Sequence, residues 1–196
     1  VEIISPQVII ETPVNTERVY TNLERYGRNA YKSEDRITQG SAEKFLRTIV
    51  KSGHESVLEH ESITVRFICD RGVTHELVRH RIAAYTQEST RYCNYSKKGV
   101  VFIKPPWDFT ESDLDYLEGV EHQYNKKISE GQTPQQARAF LTNCLKTEIV
   151  TTMNIREWRH VLRLRTSEAA HPQIREVMCI LLGILKEELT VLFEDI

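Results

Sequence analysis

The sequence predicts an α+β fold, a single domain over residues 1–196 with a small mixed or antiparallel sheet and several helices. Three observations carry this. Ile63-Thr64-Val65-Arg66-Phe67 alternates apolar and polar residues as a half-buried strand does, while other windows place their apolar residues at helical spacing. No Pro/Gly/Ser-rich linker, internal repeat or low-complexity stretch divides the chain. Its 196 residues at 40% hydrophobic composition are enough for one sizeable core.

Taken in order, Val8-Ile9-Ile10 ahead of Thr12-Pro13 reads as an early strand, and residues 15–30 as an amphipathic helix carrying Val19, Leu23 and Tyr26. A second helix opens near Ser41 and stops at Gly53, the residue that most cheaply takes a left-handed position past a helix end. His54 to Ser56 then lie in the turn after it. The strand at 61–68 leads into a helix ending near Arg81, residues 85–95 are extended or irregular, and Val100 to Ile103 form a short strand stopped by Pro105-Pro106. Thr110 with Asp113, and Thr133-Pro134 with Gln136, are helix-start signals, giving helices at about 111–129 and 134–147. Helices near 154–165 and 172–194 complete a set of about four strands and six helices. Val177 to Leu185 is apolar nearly all round, which places that helix in the core or at a subunit interface.

A net charge of −2, from 26 basic and 28 acidic residues, means that affinity for anions must come from local clustering. Cys69, Cys93, Cys144 and Cys179 are widely spaced with no C-x-x-C pair, which argues against a zinc cluster and a disulfide framework and points to a reducing, cytoplasmic setting. There is no N-terminal signal pattern, and no apolar run approaches the length of a bilayer span, so a soluble protein with no membrane partner is expected.

The cluster that calls for an anion is Arg79-His80-Arg81-Ile82-Ala83-Ala84-Tyr85-Thr86-Gln87-Glu88-Ser89-Thr90-Arg91-Tyr92. A guanidinium offers paired donors that match two phosphate oxygens and keeps its charge, and hydroxyls and backbone N–H groups near Ser89 and Thr90 complete a cradle. The alternative for each arginine is a surface ion pair. On a helix at 154–165, Arg156, Arg159 and Arg163 fall within about 60° of one another, whereas Arg165 lies about 180° from Arg156, among Ile155, Trp158, Val161 and Leu162. On pattern alone Arg165 either follows or complements the helix C-terminus, or answers a ligand.

The run RHR, seven residues, Ser, then Arg-Tyr resembles the signature of the flavin-dependent thymidylate synthases. Gly53-His54-Glu55-Ser56-Val57-Leu58-Glu59-His60 is similar to that family's upstream block, and Asn154-Ile155-Arg156 with Leu162-Arg163-Leu164-Arg165 to its downstream block. The resemblance runs from about residue 40 to the C-terminus, and the chain is short for the family chiefly between about 104 and 133. It also begins at Val1, without Met.

The resemblance implies an enzyme that methylates dUMP to dTMP, taking carbon from 5,10-methylenetetrahydrofolate and reducing equivalents from NADPH through FAD, as a homotetramer with sites shared between subunits. It implies FAD contacts from His54, Ser56, Arg79, His80, Arg81, Gln87, Asn154, Ile155, Arg156 and His160. For dUMP it implies Glu76, Arg79, Gln87, Glu88, Ser89, Thr90, Arg91 and Arg165, with Arg138 reaching the nucleotide from another subunit. Arg165 takes the role of the arginine that contacts the uracil and promotes ionisation at N3. Glu76 stands where family members often have Gln, and His160 where they often have Asn. Tyr92, Tyr95 and Trp158 are read as packing residues.

Three other readings compete. His75-Glu76-Leu77-Val78-Arg79-His80 resembles a zinc-protease helix with one residue too many: an i, i+5 pair is about 140° apart and cannot share a metal without the helix breaking. Arg91 to Lys98 interleaves aromatic and basic residues as single-strand nucleic-acid binders do, but the net charge and the lack of a recognised motif argue against a nucleic-acid partner. Ser89 as a nucleophile lacks a neighbouring base, because arginine cannot accept its proton.

Overall fold

Where alternation is strict the chain forms strands, and where capping residues precede apolar periodicity it forms helices. In the computed structural model, which describes residues 1–196, the order begins β1 (Glu2–Ile4), β2 (Gln7–Ile10), α1 (Thr16–Asn29), α2 (Ser41–Lys51), β3 (Ser62–Asp70), α3 (Arg71–Leu77) and β4 (Ala84–Gln87). It continues β5 (Val101–Ile103), α4 (Glu111–Ser129), α5 (Pro134–Ala137), β6 (Lys146–Asn154), α6 (Ile155–Arg165), α7 (Pro172–Glu188) and α8 (Thr190–Phe193).

The main sheet has the order β2-β3-β6-β4 and is antiparallel throughout, with β3 and β6 paired along their whole length from Ser62↔Asn154 to Asp70↔Lys146. A separate parallel pair joins β1 to β5. One face of the main sheet is dry: Ile63, Val65, Phe67, Cys69, Ile149 and Met153 pack against Trp158, Val161 and Leu162 of α6 and Ile174, Val177, Met178, Leu181 and Leu185 of α7. Trp158 also donates from Nε1 to the Ile63 carbonyl at 3.0 Å, so its one polar atom is satisfied in the core. The opposite face carries Arg66, bridging Glu11 and Glu148, and the Thr64–Thr152 pair. A smaller core of Val100, Phe102, Leu117, Val120, Tyr124, Ala137 and Leu145 holds α4 and β5 together.

Several local expectations hold. Gly53 sits at φ +69°, His54 N–H reaches back to the Ile49 carbonyl, and Gly53 N–H to that of Val50, the two-bond closure of a helix end. The Thr110–Asp113 box starts α4.

Other expectations are corrected. The Thr133-Pro134 signal does start a helix, but α5 lasts one turn, and the segment from 146 is a strand, not the end of a helix running to 147. Lys146-Thr147-Glu148-Ile149-Val150-Thr151-Thr152-Met153-Asn154 alternates half-buried and buried positions and is rich in β-branched residues, so pairing with β3 decides its conformation. The strands number six. α3 stops at Leu77, which leaves His80 and Arg81 beyond its end. The last helix breaks at Leu189 before α8. α7, expected in the core or at an interface, does enter the core with one side, and leaves Cys179, Ile180 and Gly183 exposed on the other. Tyr92 is 79% exposed and packs in no core.

Candidate active site

Asp70 caps α3 by accepting from Val73 N–H at 2.8 Å, which fixes the direction in which the helix leaves β3. At the other end, the Tyr85 hydroxyl lies 2.8 Å from the Leu77 carbonyl and 2.6 Å from the His80 carbonyl, pinning the turn that carries Arg79 and His80. Burial pushes the Tyr85 phenol up to about 12, so it stays a donor at neutral pH. Tyr85 was not among the residues expected from the sequence, although its alternate position on β4 faces it inward.

Three groupings of the expected residues result. In the first, Arg165 closes α6 and turns back to α3: its Nη1 donates to Glu76 Oε2 at 2.9 Å and its Nε to His80 Nε2 at 3.1 Å. Accepting at Nε2 requires a neutral imidazole with its proton on Nδ1. Burial, then the Arg165 charge and then His160 lower the His80 pKa to about 4, and the His160 ring stands edge-on to it at 6.2 Å. A guanidinium has five N–H donors, so two bonds orient it and leave others for a ligand.

The second grouping follows β4. Gln87 donates from its amide to the buried hydroxyls of Thr74 at 3.0 Å and Thr147 at 3.3 Å. Glu88 turns to the other face of the sheet and is held by Lys146 at 3.1 Å and by the Tyr95 hydroxyl at 2.7 Å. Thr90 is buried and accepts from Arg138 Nη1 at 3.2 Å, and Ser89 Oγ accepts from Arg91 N–H at 3.3 Å. Thr90 and Arg138 line a cavity of about 540 Å³ together with Arg71, His75, Thr142 and Asn143, and no carboxylate lines it. Arg71 Nη1 is buried there with no hydrogen-bond partner. An unpaired buried donor of this kind costs about 1–3 kcal/mol. Arg71 lies outside the RHR run, and nothing in its own spacing marks it; only the fold brings it to Arg138.

The third grouping is on the far side of α6. His54, Ser56 and Arg156 line one cavity, beside Gly53 and Val57, and Arg156 pairs with Glu59. Asn154 is the N-cap of α6, accepting from Glu157 N–H at 2.8 Å, and the Ile155 side chain is fully buried. Arg79 and Arg81 are exposed and make no ion pair.

Arg159 departs from the helical projection that set it beside Arg156 and Arg163 on a polar face. It is 0% exposed, takes Asp195 with both terminal nitrogens at 2.8 and 2.7 Å, donates from Nε to Glu55 at 3.1 Å, and also reaches the Leu192 carbonyl. Arg163 joins the same two carboxylates. The α6 face that looked solvent-facing is where the C-terminal segment docks.

These arrangements accompany clear likenesses to known proteins. The family described as thymidylate synthase complementing protein matches residues 11–189. The flavin-dependent thymidylate synthase of Pyrococcus furiosus is 38% identical over 160 residues, which are 78% of this chain and 66% of that protein. That of Corynebacterium aurimucosum is 33% identical over 190 residues, 86% of this chain and 76% of the relative. The chain thus spans about two thirds of the length of the archaeal relatives it matches. In fold, the UMP/dUMP methylase PolB from Streptomyces cacaoi, bound with 5-Br dUMP, superposes with a TM-score of 0.81 over 99% of this chain and 96% of that one, at 22% identity. With the family match covering nearly the whole sequence and the named relatives 33–38% identical, the chain belongs to the thymidylate synthase complementing protein family.

Proposed function

We propose that this chain is a flavin-dependent thymidylate synthase, a methyltransferase that converts dUMP to dTMP with 5,10-methylenetetrahydrofolate as carbon donor and NADPH as reductant through FAD. The observation that carries the proposal is the arginine geometry: Arg165 oriented by Glu76 and a neutral His80, and Arg138 with Thr90 at a cavity lined by no acid. The donor set fits the cofactor through exposed, unpaired Arg79 and Arg81 and through the cavity lined by His54 and Ser56, where Arg156 is paired with Glu59 and Glu55 also lines the wall. Bound FAD would supply the hydride chemistry that no side chain here can.

The chain's own groups bind and orient. His54, Ser56, Arg79, His80, Arg81, Gln87, Asn154, Ile155, Arg156 and His160 face the flavin. Glu76, Arg79, Gln87, Glu88, Ser89, Thr90, Arg91, Arg138 and Arg165 face dUMP. Arg165 stabilises the negative charge that develops on the uracil as N3 ionises, and Ser89, Thr90, Arg91 and Arg138 hold the phosphate. A neutral His80 suits this role, because an imidazolium there would repel Arg165 and weaken its hold on Glu76.

The expected residues fall into three separate groupings, which supports sites completed between subunits of a homotetramer. Arg138 donates to Thr90 of its own chain, so the two reach one phosphate together from the same subunit, unlike the expectation that Arg138 alone comes from a neighbour. Residues 1–196 act as one catalytic domain. The four free cysteines fit a cytoplasmic enzyme, and no helix is long and apolar enough to cross a membrane.

The test is FAD binding followed by stopped-flow oxidation of reduced flavin with dUMP and methylenetetrahydrofolate. Arg165→Lys should slow the single-turnover rate more than it weakens dUMP binding, because a point ammonium cannot reproduce a planar two-donor contact that strengthens along the reaction. Arg91→Lys should chiefly raise the apparent dUMP dissociation constant. Protein that binds no FAD at saturating concentration would refute the proposal.

A further inference from the structure

The cavity beside Thr90 holds a second arginine, Arg71, besides the expected Arg138. We propose that Arg71, with His75 at its side, is a phosphate-holding residue of the nucleotide site, donating to the monoester of a nucleoside monophosphate opposite Arg138 and Thr90. The inference rests on the reading of the chain as a dUMP-methylating enzyme, and adds to it two residues that the signature does not contain.

Four observations support it. Arg71 Nη1 is buried, lacks any acceptor, and belongs to a residue that lines the cavity. The Arg71 backbone N–H is fixed on the carbonyls of Asn143 at 2.9 Å and Leu145 at 3.2 Å, which holds the base of the side chain against the 138–145 segment. No carboxylate lies within 4.0 Å of the Arg71 or Arg138 guanidinium, whereas Arg66, five residues earlier, bridges Glu11 at 2.5 Å and Glu148 at 3.1 Å. The remaining polar lining, from His75, Thr90, Gln135, Thr142 and Asn143, is composed of neutral or donor groups. Two guanidiniums gathered without a counter-charge repel one another, and a dianion relieves that repulsion while accepting the stranded N–H. A phosphate monoester near neutral pH has the charge and the three terminal oxygens to do both. Imidazole offers a donor in either protonation state, so His75 contributes across the working pH range.

The experiment uses the full chain loaded with FAD and titrates dUMP, deoxyuridine and inorganic phosphate by calorimetry into wild type, Arg71→Gln, Arg71→Lys and His75→Gln. Arg71→Gln should weaken dUMP and inorganic phosphate by roughly 10- to 100-fold, the range for a charge-assisted contact, and leave deoxyuridine within about twofold. Arg71→Lys should lose about fivefold or more for dUMP, because the charge remains while the fork is lost, and His75→Gln should lose less. Flavin absorbance should be unchanged in all three. Should Arg71→Gln fail to fold, Arg71→Lys carries the same test. Wild type that binds dUMP, with Arg71 variants within about twofold of it, overturns this inference alone. An Arg71 variant that loses deoxyuridine and dUMP equally also overturns it, since the effect is then not on the phosphate. Wild type that binds FAD but neither dUMP nor inorganic phosphate overturns both this inference and the proposed function.

Discussion

Arg159 and Arg71 are both drawn beneath the surface of this chain, and their surroundings are opposites. Arg159 is fully buried, held by two carboxylates and a backbone carbonyl, all from its own chain. Arg71 keeps a buried nitrogen with nothing to donate to and shares its cavity with a second arginine and a histidine. A buried charge satisfied from within serves the fold, closing the C-terminal segment onto α6. One left unsatisfied is a cost to the fold that a ligand removes. The number of arginines in a region therefore says less about function than whether their partners belong to the chain.

The contrast can be broken most forcefully at Arg159. Arg159→Ala removes the bridge between Glu55 and Asp195, strands the Leu192 carbonyl and opens a void, so urea denaturation should show a loss of about 3–5 kcal/mol. A loss under about 1 kcal/mol would place Arg159 in the same class as Arg71.

A smaller effect comes with acid. The folded His80 pKa lies at about 4, against roughly 6.5 for the unfolded chain. Between those values the unfolded chain binds a proton that the folded one does not, so the stabilisation is fully present above about pH 6.5 and is lost as pH falls through about 4. It amounts to at most about 3 kcal/mol. Chemical denaturation across pH 4–7 should show this slope, and His80→Gln should flatten it. The Arg159 corner behaves differently. Its partner Asp195 is held below the ordinary carboxylate range, chiefly by its bonds to Arg159 and Arg163 working against burial, so that contribution persists above the unfolded aspartate value and is lost only as pH falls through the lower, folded one.

The smallest expected change in stability is at Arg138. Its side chain makes one hydrogen bond, to Thr90, and Arg138→Ala relieves repulsion in the cavity, so the unfolding free energy should move by less than about 0.5 kcal/mol while dUMP affinity falls. A loss above about 1 kcal/mol would show that Arg138 supports the fold.

Much of the architecture was legible where local chemistry decides it. Apolar spacing placed α1, Gly53 marked the end of α2, the Thr110–Asp113 box marked the start of α4, and alternation marked β3. β6 was missed because the Thr133-Pro134 box is a real start signal whose helix lasts one turn, and local signals at a start do not report where a helix ends. The alternation of Thr147, Ile149, Thr151 and Met153 was the available clue. At the site, the RHR run and Arg165 were readable as types, but the bond from Arg165 to Glu76 spans 89 positions and exists only in the folded chain. Arg159 looked polar on a helical wheel because the wheel cannot include Asp195. Arg71 carries no motif and was legible only once its cavity was known.

The pairing of β3 with β6 also sets an order of events. Asp70 faces Lys146, and the entire run from Arg71 through Arg138 lies in the loop of about 75 residues which that pairing closes. Closing such a loop costs roughly 4 kcal/mol in chain entropy before any contact inside it forms. The anion cavity, which needs Arg71 against Asn143, exists only after the sheet has zipped, so a nucleotide cannot guide the search for the fold. It can only slow the escape from it, acting as a brake on unfolding rather than as a template.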